Sequence, residues 1–175
     1  MKKIILIFLF GIFGFNLISY NNLDYFGIAN ESIKKYNPSR KDYVIIVDYS
    51  KSILTKRLFV LDMKTNKVVI SSTVSHSFKS GLLYVNEYSN LKGSNMTCGG
   101  NFITQGTKYG GFGYSMVIKG LDKGVNNNSK SRDIIFHSNK KMKTKWSNGC
   151  FATPENINKQ IIDLTKNGCL ICVIK

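Results

Sequence analysis

The stretch RDIIFHSNKKMKTKWSNGCF, residues 132–151, decides how this chain is read. The apolar run Ile134-Ile135-Phe136 ends in His137. A basic, polar segment follows, and Ser147-Asn148-Gly149-Cys150 arrives with its sulfur thirteen residues beyond the imidazole. A strand that delivers an imidazole at its end, and a Gly-Cys turn that returns to it, brings a thiol to a base. The tight glycine lets backbone N–H groups approach a substrate oxygen. A free cysteine is commonly a small buried apolar residue, and a histidine at a strand end is commonly structural. The glycine before the cysteine sets these two apart. Thr153 reads as a helix N-cap and Pro154 as the first helical residue. That would put Cys150 just ahead of a positive helix end, where a thiolate is favoured. Together the residues point to cysteine acyl transfer, with Cys150 as nucleophile and His137 as base.

Working outward, Ile157, Ile161 and Leu164 form one apolar face at helical spacing after the cysteine. Asn167-Gly168 stops that helix, and Cys169 to Ile174 reads as a closing strand. Upstream, Tyr43 to Tyr49, Arg57 to Met63 and Lys67 to Val74 read as an antiparallel meander, with Lys64-Thr65-Asn66 as one turn. Tyr114 to Lys119 is a further strand, and Asp133 to His137 is the strand that carries the base. Between Ser75 and Gly113 the pattern is irregular and rich in Gly, Ser and Asn. A long loop of that kind within a domain is expected to be functional. The fold class is mainly β with short helices, and residues 42–175 form one domain without internal repeats.

The 175 residues suffice for one domain with a real core, and 43% hydrophobic residues exclude a disordered chain. A formal net charge of +15 suits an anionic partner: nucleic acid, an acidic membrane surface or an anionic cell wall. The lysines are scattered, and no helix-turn-helix, zinc-finger or aromatic RNA-binding pattern is present, so no nucleic-acid partner is expected. Lys2-Lys3 and the apolar run Ile4 to Ile18 read as a signal peptide or N-terminal anchor over residues 1–20. Its apolar run is short against the ~20 residues that span a membrane comfortably. Residues 21–41 read as a linker with a short helix, Ile28 to Tyr36, ended by Asn37-Pro38. The four cysteines and two histidines have no zinc spacing, so neither metal nor cofactor is expected. In a strand, Cys169 and Cys172 point to opposite faces, which disfavours a bridge between them.

Over roughly residues 43–160 the chain resembles the murein L,D-transpeptidase catalytic domain family, of YkuD type. The resemblance is carried by Val74-Ser75-His76, Ser89-Asn90 with Gly93-Ser94, Lys119-Gly120-Leu121-Asp122, Asn126 to Asn128, Arg132, the His137 strand and Ser147-Asn148-Gly149-Cys150. It implies a β-sandwich-like catalytic fold with a helix after the catalytic cysteine. It implies a thioester acyl-enzyme on Cys150, His137 as base, and backbone N–H groups of Gly149 and Cys150 for the oxyanion. The substrate would be a peptidoglycan stem peptide, and carbapenems would act as acyl donors. Ser147 would shape the turn and Ser138 help orient the site. Asn148 lies beside the Gly-Cys pair. Arg132 would be structural or bind a substrate carboxylate. His76 and Asn90 would line or brace the cleft, with His76 touching substrate. The protein would then be exported to the periplasm or cell envelope. The chain departs from the pattern at Ser77 and Ser138, where glycine commonly follows each histidine, at Asn148, and at Phe151. Alternatives are an L,D-carboxypeptidase and a catalytically weak peptidoglycan-binding protein. A sortase would need an arginine after the cysteine, and the last one here is Arg132. Papain-like peptidases place the cysteine before the histidine.

Overall fold

The computed structural model describes residues 24–175. The signal or anchor assigned to residues 1–20 lies outside them. No helix among the described residues is long and apolar enough to cross a membrane.

Eight strands and two helices build a sheet-dominated fold, as expected. In chain order they are α1 (Tyr25–Tyr36), β1 (Tyr43–Asp48), β2 (Leu58–Asp62), β3 (Lys67–Ser72), β4 (Gly100–Gly110), β5 (Gly113–Gly120), β6 (Ile135–Ser138), β7 (Phe151–Thr153), α2 (Glu155–Thr165) and β8 (Leu170–Ile174). The strands form one hydrogen-bonded sheet in the order β3-β2-β1-β8-β4-β5-β6-β7. β8 is inserted beside β1 in parallel and beside β4 antiparallel. Both central strands are buried on two faces, and so read as unbroken apolar runs. Ile45 and Val47 enter one core with Phe102, Phe136 and Ile161. Val44 and Ile46 enter the other with Leu170 and Ala29 of α1.

The sheet curls into a sandwich-like body. β1 and β7 stand five strand spacings apart in the order, which would be ~24 Å in a flat sheet. Yet Tyr49, directly after β1, stacks on Phe151 of β7 with ring centroids 6.4 Å apart. The chain leaving β3 closes the gap: Ser75 N–H donates to Ala152 O at 2.9 Å, and Ser77 bridges to Ser147. This places the segment after β3 behind the Gly-Cys turn.

Three expectations are corrected. The helix of the supposed linker begins at Tyr25, because the Asp24 carboxylate accepts from Gly27 N–H at 2.9 Å and caps it three residues early. It docks on the sheet, with Ala29 buried and Tyr25 Oη donating to Asp48 at 2.7 Å. It ends at left-handed Asn37, as the sequence indicates. Second, α2 starts one residue late: Pro154 occupies the N-cap, and Thr153 Oγ1 accepts from Asn158 Nδ2 at 3.0 Å instead. Third, the supposed irregular region ends in an eleven-residue strand, β4. Its register shifts between Thr104 and Thr107, and its outer half is exposed, so no alternating apolar pattern marks it. β4 and β5 form a hairpin joined by Gly111-Phe112, whose tip overhangs the rim of the sheet.

Candidate active site

The parallel pairing of β6 and β7 sets the register. Phe136 stands opposite Phe151 and His137 opposite Ala152. Phe136 and Phe151 both enter the core. Alternation therefore sends His137 and Cys150 to the opposite face, as diagonal neighbours on adjacent strands, roughly 7–8 Å apart at Cα. Both side chains line one cleft of about 420 Å³, together with Arg132, Asp133, Ser147 and Asn148. Phe112, Trp146, Lys143 and Asn95 are among its other walls. A second cleft of about 340 Å³ adjoins it beneath the hairpin tip. Cys150, Asp133 and Phe112 are common to both.

His137 is buried, and its Nδ1 lies 2.8 Å from the Ser138 carbonyl. A carbonyl only accepts, so Nδ1 carries the proton and Nε2 is left with its lone pair. Phe112 stacks on the ring at 4.1 Å with a 24° tilt. Burial lowers the imidazole pKa from its ordinary 6.5, against the Ser138 hydrogen bond, so the ring is a neutral base at pH 7.

Cys150 is half-buried, and its thiol donates to the Asp133 carbonyl at 3.5 Å. Burial raises its pKa above 9.0, and the Asp133 carboxylate adds to that. The Ile135 N–H and the charges of Arg132 and Lys108 act the other way. The expectation of a thiolate favoured by a helix end is therefore corrected. β7 and the N-cap Pro154 stand between Cys150 and the first turn of α2, and a helix-end field falls off within about one turn.

Gly149 is required where it stands. Its φ is +110°, and a Cβ there would lie 2.6 Å from the Met96 carbonyl oxygen. Ser147 Oγ donates to Cys150 O at 2.7 Å and accepts from Gly149 N–H at 3.2 Å. It ties the turn, and the Gly149 amide already has a partner. Asn148 is exposed on the rim. Arg132 spends its guanidinium on the loop that roofs the cleft, donating to the carbonyls of Ser89 and of Met96 (2.5 Å) and contacting Cys98 Sγ. These contacts make it a brace for that loop.

Two residues stand elsewhere than expected. His76 does not line the cleft; it is fully buried, with both ring nitrogens engaged. Arg57 donates to Nδ1 at 2.7 Å, so Nε2 carries the proton and donates to Gly81 O at 2.9 Å. Burial and the neighbouring guanidinium hold its pKa down at about 4. Arg57 is itself buried, donating to the Val74 and Lys51 carbonyls. Asn90 pins the asparagine loop instead: its Nδ2 donates to Asn127 Oδ1 at 3.0 Å and its Oδ1 accepts from Asn128 N–H at 3.1 Å. Ser138 orients the imidazole through its carbonyl, while its hydroxyl accepts from Lys140 N–H at 3.1 Å. Sequence reasoning missed Phe112 and Asp133. A Gly-Gly-Phe-Gly run signals a turn but not a ring stacked on an imidazole, and Asp133 looked like the first residue of a strand.

The site thus has the form of a sheet-edge cleft holding one thiol and one neutral imidazole. A family model described as the L,D-transpeptidase catalytic domain matches residues 17–173, nearly the whole chain, and the chain belongs to that family. No curated protein matches the sequence significantly. Among solved structures, the L,D-transpeptidase from Mycobacterium smegmatis is similar at 12% identity and a TM-score of 0.46, over 77% of this chain and 59% of that one. Mycobacterium tuberculosis L,D-transpeptidase 1 is similar at 12% and 0.45, over 77% and 62%. The L,D-transpeptidase from Xylanimonas cellulosilytica is similar at 14% and 0.44, over 75% and 59%. The chain spans about three fifths of the length of these three structures.

Proposed function

We propose that this protein is a cysteine acyl-transferase acting on peptidoglycan stem peptides, with Cys150 as nucleophile and His137 as general base. The observation that carries the reading is the shared cleft: the thiol and the imidazole leave adjacent parallel strands on the same face and open into one space.

Because burial holds the thiol protonated and the imidazole neutral, the reaction begins from a neutral pair. His137 Nε2 takes the thiol proton as sulfur attacks the stem-peptide carbonyl. Backbone amides of the 148–150 turn hold the developing oxyanion. The Cys150 N–H is the better candidate, since Gly149 N–H is partnered by Ser147 Oγ. The imidazolium then protonates the leaving amine, and a thioester remains on Cys150. An amine from a second stem resolves it to a cross-link. Water resolves it to a trimmed stem, which would be L,D-carboxypeptidation at the same site. Residues 1–20 export the chain as a signal or anchor it, and its strongly positive net charge holds it on an anionic envelope.

Intact-mass spectrometry after incubation with a carbapenem tests the reading. One covalent adduct is expected, absent from Cys150→Ala. A muropeptide digest with and without the purified protein then separates cross-linking from trimming. Peptidoglycan binding with an unchanged digest and no adduct would favour a binding protein instead.

A further inference from the structure

Among the residues that line the two clefts, one side chain is acidic: Asp133, which stands on the wall they share. Its position costs something. The backbone is left-handed, with φ +53°, a conformation that few side chains adopt. The backbone carbonyl receives the Cys150 thiol at 3.5 Å, so the residue is fixed directly beside the nucleophile. Asp133 N–H is in turn anchored on Lys130 O at 3.1 Å. The carboxylate also opposes ionisation of that thiol, which works against the first half of an acyl transfer. Among the described residues the ion pairs go to Asp42, Asp48, Asp122, Glu155 and Asp163, and Asp133 has none, in a chain with 25 lysines and arginines. Its hydrogen bonds are made by its backbone. The cations on the cleft walls are Arg132, whose guanidinium is held by the Ser89 and Met96 carbonyls, Lys108 on the hairpin and Lys143, and none of them forms an ion pair with Asp133.

An exposed, unpaired carboxylate on a backbone anchored beside a nucleophilic sulfur hinders thiolate formation and favours an arriving cation. We propose that Asp133 is a specificity-determining residue that holds the ammonium of the amine acceptor against the acyl-enzyme. The proposal rests on the acyl-transfer reading above and adds what selects amine over water. Of the three ammonium protons, one leaves to solvent, one passes through His137 to the departing thiolate, and one stays on the product. The amine nitrogen bonds to the thioester carbonyl as the carbon–sulfur bond breaks, leaving an amide and a free thiol.

Asparagine tolerates the left-handed conformation and keeps the shape, so Asp133→Asn removes charge alone. The first readout is the partition of one acyl-enzyme between an amine acceptor and water, a ratio from which the acylation rate cancels. Asp133→Asn should cut transfer over hydrolysis about tenfold, with Asp133→Glu restoring part of it. An unchanged ratio overturns the proposal. The second readout needs no turnover. In the full chain carrying Cys150→Ala, NMR titration compares Nα-acetyl-lysine amide with its Nε-acetylated form. The charged probe should bind more tightly, and adding Asp133→Asn should abolish the preference. Equal binding of the two probes, or a preference that survives the substitution, overturns it. If the wild-type protein forms no acyl-enzyme, the acyl-transfer reading falls, and this second readout still decides the role of Asp133.

Discussion

The two histidines occupy regions that look alike in sequence and differ in kind. Val-Ser-His76-Ser and Ile-Phe-His137-Ser each place an imidazole, followed by serine, at or just beyond the end of a segment read as a strand. Both rings are buried, and burial lowers the pKa of both. His76 has both nitrogens engaged, one by the Arg57 guanidinium and one by a carbonyl. His137 has one nitrogen held by a carbonyl, and its ring opens on a cleft beside a thiol. A histidine becomes available for chemistry when its second nitrogen is left unclaimed, and burial alone does not separate the two cases.

The sharpest way to break this comparison is to remove each ring. His137→Ala should cut carbapenem acylation by ~10²–10⁴-fold while the melting temperature stays near wild type. His76→Ala should do the reverse: it strands a buried guanidinium beside an empty site, costing on the order of 2–4 kcal/mol and lowering the melting temperature by many degrees. Thermal melts and acylation rates on the two variants check both. A large loss of activity from a well-folded His76 variant would erase the distinction.

Acid should separate the regions next. The His76 pKa falls from 6.5 unfolded to about 4 folded, so its neutral form stabilises the fold fully above pH 6.5. That stability is lost as pH falls from 6.5 towards 4, because the unfolded chain binds the proton first. About 3 kcal/mol is at stake, read from urea midpoints across that window. The His76→Ala variant should lack the dependence.

Activity should follow the other histidine. With the thiol raised above 9.0 and the imidazole lowered below 6.5, the acid limb of kcat/KM should lie below pH 6.5. The thiolate absorbance of Cys150 should not develop until above pH 9. A limb near neutrality, or a thiolate already present at pH 7, would indicate a preformed ion pair.

The smallest effect concerns packing. Phe112→Ala removes the ring stacked on His137 and should lower activity by about tenfold or less, with little change in stability, since Phe112 is partly exposed at the hairpin tip.

Much of this was legible in the residues. Tyr43 to Asp48 and the strand after Gly168 announce themselves because both their faces are buried. Asn37 caps its helix in a left-handed conformation, and positive-φ Asn167 and Gly168 turn the chain just after the extended C-cap Lys166 of α2. The Gly-Cys turn is readable because a Cβ at residue 149 would strike the Met96 carbonyl. The rest was hidden for physical reasons. β4 lies exposed over its outer half and carries no periodic signal. The contact of Phe112 with His137 spans a hairpin and a second strand pairing, which nothing local encodes. Ser77 and Ser138 look like losses at glycine positions, but their hydroxyls cap local turns. Phe151 fills the core where the sheet curls over itself.

The central claim is that the Cys150 sulfur accepts an acyl group with the help of His137. Time-resolved intact-mass spectrometry with a carbapenem tests it most directly across wild type, Cys150→Ala and His137→Ala. A single adduct that forms on wild type, fails on Cys150→Ala and slows at least a hundredfold on His137→Ala is the predicted result. An adduct of equal yield on Cys150→Ala, or none on folded wild-type protein, would contradict it.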